Sequence, residues 1–389
     1  MNNINLLEMS KCLGCRSCFL SCPKHSINMH ENPEGFFYPV VDENCVQCGL
    51  CINHCPIINP IKFENCEKKF YGLISNKKKL LQKSSSGGVF ATIAQSFLSK
   101  GGLVFGCAYD EDFNVKHIMI DNEKDLIKLQ GSKYVASSTE DTYKTVKENL
   151  LNGSNVLYSG SPCHIAGLKS YLGTDYDNLY TMDLICHGTP SLKLFKKYLS
   201  FLEKKYNGKV IDYSFRAKER GWGIIGSVII QTSKKQKKLY IQQECDPYYS
   251  SFMRNETFRE NCYQCPYATL DNRPADFTIG DFWGVGKYYP QIEREQGVSV
   301  CFINTTKGKQ LFESVKDDFF VFDCELPEIL ERNHNLYRPS TKTNVRNNIY
   351  EGIDSLPLKT YFKKFKYTNP LMFKIKKIFK RILKKLRIK

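Results

Sequence analysis

Eight of the 17 cysteines in this chain of 389 residues form a repeated motif. The pattern C-x2-C-x2-C-x3-C-P occurs at residues 12–23 and again at residues 45–56. This spacing is typical of chains that hold two [4Fe–4S] clusters, each bound by three thiolates of one motif and the fourth thiolate of the other. Two zinc sites are the alternative, although zinc favours paired C-x2–4-C ligands. We therefore predict two [4Fe–4S] clusters, one bound by Cys12, Cys15, Cys18 and Cys55 and the other by Cys22, Cys45, Cys48 and Cys51.

Four further cysteines are spaced in a way that suits one more cluster. Cys163 and Cys186 are single thiols, each directly after or at the end of a segment that we predict to be a strand, and Cys262 and Cys265 form a C-x2-C pair. Four thiolates are the number of ligands that a [4Fe–4S] cluster takes. On spacing alone, a zinc site and thiols packed as small apolar side chains stay open as alternatives.

The thiols favour a reducing compartment. Residues 1–11 contain no apolar segment of the signal-peptide type, and no run of eighteen apolar residues occurs that could span a membrane. We therefore predict a cytoplasmic protein. In that setting metal ligation or redox chemistry accounts for seventeen thiols better than disulfides do.

The positive charge of the chain is concentrated in one segment. The formal net charge is +16, but residues 359–389 contain thirteen basic and no acidic side chains, and the preceding residues carry 43 basic against 40 acidic. A nearly neutral body disfavours a nucleic-acid-binding protein. Apolar residues between 371 and 386 recur at helical spacing, which predicts a basic amphipathic helix that associates peripherally with an anionic membrane or binds an acidic partner. A helix that docks on its own protein is the alternative.

The order of the predicted elements indicates the α/β class, or α+β over the whole chain. Strands are predicted to alternate with helices, which favours a largely parallel sheet with sites at the carboxyl ends of its strands. A polar linker is expected beyond about residue 335. The predicted strands are 70–75, 103–108, 155–158, 179–185, 209–215, 226–232 and 299–304. The predicted division is a ferredoxin-type domain at 1–62, a mixed α/β region in two parts at 68–153 and 154–345, and the tail at 359–389.

Several side chains outside the cysteine motifs could hold a cofactor with phosphate groups. Ser85, Ser86, Gly87 and Gly88 open a predicted helix, where backbone N–H groups and the helix dipole favour an anion. A flexible surface loop is the commoner meaning of such a composition. Ser132 belongs to the segment GSKY at 131–134, which we predict to lie beside the cofactor.

Charged and aromatic residues extend this candidate site. Lys133 could neutralise a pyrophosphate and Tyr134 could cover a ring, or they are a solvated lysine and a core tyrosine. Arg216 could bind a phosphate bidentately. Trp222 offers an aromatic face. For both Arg216 and Trp222, an ordinary hairpin edge is the alternative. No G-x-G-x-x-G motif follows a strand, so a nicotinamide site of that type is unsupported.

Taken together, the motifs resemble the coenzyme F420 hydrogenase/dehydrogenase beta-subunit family, which includes relatives of 7-hydroxymethyl chlorophyll a reductase. The resemblance runs from about residue 8 to 345 and does not include the basic tail. The motifs that carry it are residues 12–55, SSSGGVF at 84–90, GSKY at 131–134, SGSPC at 159–163, DLICHG at 183–188, Arg216 with Gly221 and Trp222, and TIGDFWG at 278–284. His164 departs from the family pattern, because many relatives have Gln beside the cysteine.

The resemblance implies an FAD-containing iron–sulfur oxidoreductase. It also implies a third [4Fe–4S] cluster at the positions of Cys163, Cys186, Cys262 and Cys265. We predict that a two-electron partner, an F420-like deazaflavin or another small molecule, reacts at FAD, which exchanges single electrons with the clusters. His187 and His164 are candidate proton shuttles, and structural histidines beside a cluster are the alternative.

Two other functions compete with this prediction. One is an electron-transfer subunit that relays electrons to a redox partner protein and has no substrate of its own. The other is a zinc-stabilised nucleic-acid module, which the cysteine spacing and the nearly neutral body disfavour. The sequence leaves the substrate, the oligomeric state and the use of coenzyme F420 open.

Overall fold

The computed structural model describes residues 2–63, 66, 68–373 and 375. In its first part, two cysteine loops flank an antiparallel hairpin of β1 (Ile27–Glu31) and β2 (Phe37–Val41). Each loop runs into a helix of one turn, α1 (Ser17–Leu20) or α2 (Leu50–Asn53). The residues before and after the second cysteine of each loop have positive φ angles, so the two loops repeat the same turn.

An eight-stranded sheet forms the centre of the remaining chain, in the order β13-β3-β12-β11-β7-β6-β4-β5. Its four middle strands, from β11 to β4, are parallel, whereas the outer strands pair in antiparallel fashion. The bounds are β3 Lys69–Ser75, β4 Leu103–Tyr109, β5 Val115–Ile120, β6 Val156–Gly160, β7 Leu179–Leu184, β11 Phe277–Asp281, β12 Ser299–Ile303 and β13 Phe319–Asp323.

The predicted α/β class is confirmed, but the expectation of a largely parallel sheet is wrong. β5 returns beside β4 through a short turn, and an antiparallel pair needs no helical crossover. Only the strand–helix units around β4, β6 and β7 place neighbouring strands in parallel, as the prediction expected. Because β3 and β12 run in alternating directions, the end of β3 and the start of β12 lie at the same edge as the carboxyl ends of β7 and β11.

A three-stranded antiparallel sheet, in the order β10-β9-β8, packs beside the large one. Its strands are β8 (Lys209–Ser214), β9 (Ile225–Gln231) and β10 (Gln236–Gln242). The helices that accompany the two sheets are α3 Lys78–Lys83, α4 Val89–Leu98, α5 Leu126–Leu129, α6 Thr142–Leu151, α7 Pro162–Leu172, α8 Leu192–Tyr206, α9 Pro247–Met253, α10 Val285–Tyr288, α11 Thr306–Val315 and α12 Leu326–Leu330. No helix in the described ranges is long and apolar enough to cross a bilayer.

The polar linker predicted beyond residue 335 is instead part of the packed body. It contains α13 (Arg346–Ile349) and α14 (Leu358–Phe362). Phe362 packs against Phe201 of α8, and Tyr361 and Phe365 are buried. The segment predicted as the beginning of the basic tail therefore contributes core side chains. Most of the amphipathic helix predicted after residue 370 lies outside the described residues.

The ferredoxin-type unit docks on the body through polar contacts from several of its segments. Arg346, which is almost fully buried, donates to both carboxylate oxygens of Glu34, at 2.7 and 2.6 Å. His54 Nδ1 lies 2.5 Å from the carbonyl oxygen of Ser170 in α7. These contacts hold the β1–β2 hairpin against α13 and the second cysteine motif against α7.

Candidate iron–sulfur and flavin site

The first thiol set, which we define as Cys12, Cys15, Cys18 and Cys55, lines one pocket. All four cysteines are buried. Burial, and then the neighbouring thiols, raise the pKa of Cys18 well above its usual value. Four thiolates in a buried place repel one another, and a positively charged metal core removes that cost. The chemistry of this donor set fits a [4Fe–4S] cluster.

The second thiol set, defined as Cys22, Cys45, Cys48 and Cys51, lines another pocket. Its exposure differs from that of the first set, since Cys48 is exposed, Cys22 and Cys45 are partly buried and only Cys51 is buried. Val46 and Leu50 beside it are 58% and 38% exposed. The two motifs exchange their fourth cysteine in the way the spacing predicted, and the second set lies at the surface.

The third thiol set, defined as Cys163, Cys186, Cys262 and Cys265, comes from three separate segments. Cys163 is at the start of α7 after β6, Cys186 follows β7, and the pair lies in the segment after α9. The thiols are close enough to affect one another, because burial and then the other three thiols raise the pKa of Cys186. Burial likewise raises the pKa of Cys262 to about 11. The structure thus gathers the four cysteines that the resemblance grouped.

Within the described ranges, no group of three or more His, Cys, Asp or Glu side chains is placed to hold one metal ion. Iron–sulfur ligation by the three sets stays a prediction at the level of the individual residues.

An ion pair that was not predicted from the sequence holds two segments of the third thiol set together. The guanidinium of Arg273 lies 2.5 Å from Asp183, and both side chains are almost fully buried. Arg273 also donates to the carbonyl oxygens of Leu184, two residues before Cys186, and of Tyr267, two residues after Cys265. Buried arginine with several carbonyl partners is well suited to fix such loops.

The first and third thiol sets approach each other at Gly167. A Cβ atom at this position would lie 2.6 Å from Cβ and 3.0 Å from Sγ of Cys15. Gly167 lies one turn after Cys163 in α7, and Cys163 packs with Cys15 in the same apolar cluster. The absence of a side chain at 167 therefore allows the two thiol sets to adjoin.

The two candidate proton-shuttling histidines are enclosed. His164 Nδ1 lies 3.0 Å from the hydroxyl of Ser161, and burial lowers the pKa of this histidine well below its usual value. His187 Nδ1 lies 3.1 Å from the amide oxygen of Asn335, and burial lowers its pKa as well. Both rings are therefore neutral at pH 7, and their role as proton shuttles stays a prediction.

The two serine-containing loops predicted for the cofactor meet at the carboxyl edge of the large sheet. The hydroxyl of Ser85 accepts hydrogen bonds from the N–H and the hydroxyl of Ser132, at 2.7 and 2.8 Å. Ser86 donates to the carbonyl oxygen of Val298, and the N–H of Gly87 donates to the hydroxyl of Ser299. The loop ahead of α4 is thus fixed to the sheet, not a free surface loop, and Gly88 ends it with a left-handed turn.

Lys133 serves the backbone of its own loop in this structure. Its ammonium group donates to the carbonyl oxygens of Lys128, Gln130 and Gly131, at 3.0–3.3 Å. An ammonium has three N–H donors, and all three are engaged. Lys133 therefore caps the end of α5 in this structure, and the pyrophosphate contact predicted for it from the sequence stays a prediction.

Arg216 is also fully engaged with protein acceptors. It donates bidentately to Asp281, at 2.8 and 2.9 Å, and singly to the carbonyl oxygens of Gly223 and Ser85 and the hydroxyl of Tyr134. These five bonds use all five N–H donors of a guanidinium. In this structure the bidentate contact of Arg216 is made to the carboxylate of Asp281, and its contact with a phosphate stays a prediction.

The aromatic side chains of the site differ in their surroundings. Tyr134 stacks on Phe252 at 4.7 Å between ring centroids and belongs to the aromatic core. Trp222 stacks on Trp283 with the rings 4° from parallel and 5.0 Å apart, and it donates its indole N–H to Asp281. The tryptophan pair is partly exposed at the sheet edge and offers a flat aromatic face there.

Lys218 is a buried cation that was not predicted from the sequence. Its ammonium group donates to the carbonyl oxygens of Leu81 and Ser86, both at 2.6 Å. Burial, and then the charge of Arg216, lower the pKa of Lys218 to about 7. Arg216 and Lys218 are two residues apart after β8, so the alternation of an extended chain could have placed both on one face.

Comparison with known proteins agrees with these features. Residues 6–63 match the family model of the 4Fe-4S dicluster domain, which supports the predicted iron–sulfur clusters. Residues 153–322 match the family model that describes the C terminus of the coenzyme F420 hydrogenase/dehydrogenase beta subunit. That description indicates an oxidoreductase role.

Curated relatives match the ferredoxin-type part alone. Pyruvate synthase subunit PorD of Methanocaldococcus jannaschii is 31% identical over 52 residues, which are 13% of this chain and 57% of that protein. An uncharacterized ferredoxin of the same organism is 31% identical over 51 residues, again 13% of this chain and 66% of that protein. The chain therefore spans less than two thirds of the length of each of these two relatives.

Among solved structures, one chain of the F420-reducing [NiFe] hydrogenase complex of Methanosarcina barkeri is similar. The similarity covers 80% of this chain and 99% of that one, with 17% identity and a TM-score of 0.45. The resemblance read from the motifs is confirmed by the two family models. Residues 153–322 are therefore similar to the C-terminal part of the coenzyme F420 hydrogenase/dehydrogenase beta-subunit family, and residues 6–63 are similar to a 4Fe-4S dicluster domain.

Proposed function

We propose that the protein is an iron–sulfur flavoprotein oxidoreductase. It moves electrons between a two-electron small molecule, such as an F420-like deazaflavin, and one-electron [4Fe–4S] clusters. The observation that carries the proposal is the gathering of twelve cysteines into three sets of four, two of which adjoin at Gly167. When bound, FAD would supply the conversion between two-electron and one-electron chemistry.

The proposed flavin site is the carboxyl edge of the large sheet, near the third thiol set. Arg216 and, in its protonated form, Lys218 place two buried positive charges beside the loop before α4, against the single carboxylate of Asp281. This excess of positive charge suits a diphosphate. The face of Trp222 and Trp283 suits a flat ring system.

The residues of the chain then have defined tasks. The three thiol sets hold iron, Arg273 fixes two loops of the third set, and Asp281 keeps Arg216 and Trp222 in place. Enclosure of the first set keeps water from its thiols. The domain bounds 68–153 and 154–345, and membrane association of 359–389, are further proposals.

A second candidate is an electron-transfer subunit that serves a catalytic partner. It is favoured by the exposure of Cys48, Val46 and Leu50 around the second thiol set, because a protein partner could approach that set directly. Both candidates require iron, and only the first requires substrate turnover by the isolated chain.

Anaerobic purification with iron, sulfide and flavin analysis tests the proposal. We expect a brown protein with about twelve iron atoms per chain, four for each set, and extractable FAD. Stoichiometric zinc without colour would refute it. Turnover of reduced F420 or a nicotinamide with a viologen dye would separate the two candidates, since a relay subunit without its partner gives none.

A further inference from the structure

Arg259 is a buried charged residue between the first and third thiol sets. Only 6% of it is exposed. Its N–H donates to the carbonyl oxygen of Thr189, and its own carbonyl accepts from the N–H of Cys262, both at 3.0 Å. The backbone of Arg259 thus belongs to the loop that presents Cys262 and Cys265, three residues before the first of them.

The side chain of Arg259 reaches into the loop of the first thiol set. Its Nε donates to the carbonyl oxygen of Cys12 at 2.8 Å, and its Nη2 donates to the carbonyl oxygen of Phe37 at 2.9 Å. The guanidinium carbon lies 4.0 Å from the centre of the Tyr38 ring, within the range of a cation–π contact. One side chain therefore connects the cysteine loop, the β1–β2 hairpin and the body.

Gly14 makes room for this contact. Its φ angle is +70°, and a Cβ atom there would lie 3.1 Å from the guanidinium carbon of Arg259. A residue larger than glycine at position 14 would therefore displace the guanidinium of Arg259 from the cysteine loop.

Arg259 also belongs to the loop of the third thiol set. Its carbonyl oxygen accepts from the N–H of Cys262, so its charged side chain extends from the segment that presents two thiols of that set. A cation in a buried place favours any additional negative charge nearby, whether on a thiolate or on an added electron. Arg259 therefore contacts the loops of both sets.

We propose that Arg259 is a positioning residue that holds the first thiol set against the third and supplies a positive charge shared by both sites. The inference rests on the proposed function, since it presupposes that both sets hold clusters. A shared cation stabilises the reduced state of each site, so it raises both reduction potentials. The second thiol set, with Cys48 at the surface, lies outside its influence.

The experiment is an anaerobic redox titration of the full-length holoprotein, followed by EPR. Cys-to-Ser variants of each set assign the signals. We expect Arg259→Gln to shift the potentials of the first and third sets downward and to leave that of the second set unchanged. We expect Arg259→Lys, which keeps the charge without the planar fork, to retain the potentials but to weaken the magnetic interaction between the two signals.

Lys193→Gln is the matched control. Lys193 of α8 donates to the carbonyl oxygen of Pro33 in the turn of the same hairpin, and its charge is paired with the exposed Asp354. We expect this variant to leave all three potentials as in the wild type. The inference is overturned if Arg259→Gln shifts none of them, or if Lys193→Gln shifts the same two.

Iron content and reduction potential separate the inference from the proposed function. Wild-type protein without iron would refute the function itself, whereas full iron with unmoved potentials would refute only the role of Arg259. Should Arg259→Gln fail to fold, Arg259→Lys decides the question, because unchanged magnetic interaction in that variant contradicts the positioning role.

Discussion

The close approach of α7 to the first thiol set makes Gly167→Ala a sensitive perturbation. The new methyl carbon would lie 2.6 Å from Cβ of Cys15 and 3.0 Å from the hydroxyl oxygen of Tyr143. Non-bonded carbon atoms pack at about 3.5–4.0 Å. The helix and the cysteine loop must therefore separate by about 1 Å to accommodate the methyl group.

Two opposing effects set the magnitude of the change in stability. Alanine favours the helix over glycine by up to about 1 kcal/mol. Overpacking of a tight contact costs about 1–3 kcal/mol. We expect the variant to lose up to about 2 kcal/mol of unfolding free energy, and to lose iron selectively from the first set, about four atoms per chain.

Urea denaturation and iron analysis of anaerobically prepared protein measure both effects. Gly106→Ala is the control, because its methyl group would meet the end of the Leu129 side chain at 3.3 Å, away from the described thiol sets. We expect this control to keep its iron and its stability. Gly167→Ala protein that is as stable as the wild type and fully loaded would refute the reasoning.

Three other perturbations test separate parts of the site. Cys48→Ser should remove only the EPR signal of the second set and Cys18→Ser only that of the first, whereas loss of both signals in each variant would contradict the grouping. Because burial lowers the pKa of Lys218 to about 7 and a diphosphate favours its charged form, FAD affinity should fall about tenfold between pH 6 and 8. Calorimetry should show no such fall for Lys218→Met, and a flat wild-type profile would count against the site. Asp281→Asn leaves Arg216 without its ion pair and should lower the unfolding free energy by about 3 kcal/mol in urea, with a red shift of the Trp222 emission.

Local spacing explains why the first two thiol sets could be predicted. The first three cysteines of each motif lie in the same short segment, so their separation in sequence nearly determines their distance in space. The exchange of Cys22 and Cys55 between the motifs follows from the internal repeat. These two sets needed no knowledge of the tertiary fold.

The remaining parts of the site depend on partners distant in sequence. Arg273 pairs with Asp183, 90 residues earlier, and no local pattern marks that pair. Arg346 lies in a polar segment expected to be a linker, yet it is buried because Glu34, 312 residues away, satisfies its charge. Composition predicts exposure only when no such partner exists elsewhere in the chain.

Whether the N–H donors of a side chain already have protein acceptors is a second property that sequence spacing does not predict. Lys133 and Arg216 were assigned to a phosphate because of their type and position. In the fold every N–H donor of both side chains already has a protein acceptor, and the acceptors come from four segments, which are 128–134 and those of Ser85, Gly223 and Asp281. Lys218, two residues from Arg216, bonds with fewer acceptors and has the lowered pKa, which makes it the better candidate for contact with an anion.

The three thiol sets differ in which groups balance the charge of an added electron, because their exposure to solvent differs. The thiols of the first set are buried and those of the third set are partly buried, so fixed groups such as Arg259, which contacts the loops of both sets, help to balance charge there. The second set reaches the surface at Cys48, so water and dissolved ions balance its charge. Its potential should therefore respond to ionic strength, whereas those of the first and third sets should respond more to the residues around them. This difference suits two inner sites whose reduction potentials depend on shared residues and an outer site whose potential depends on the solution and on a partner that approaches it.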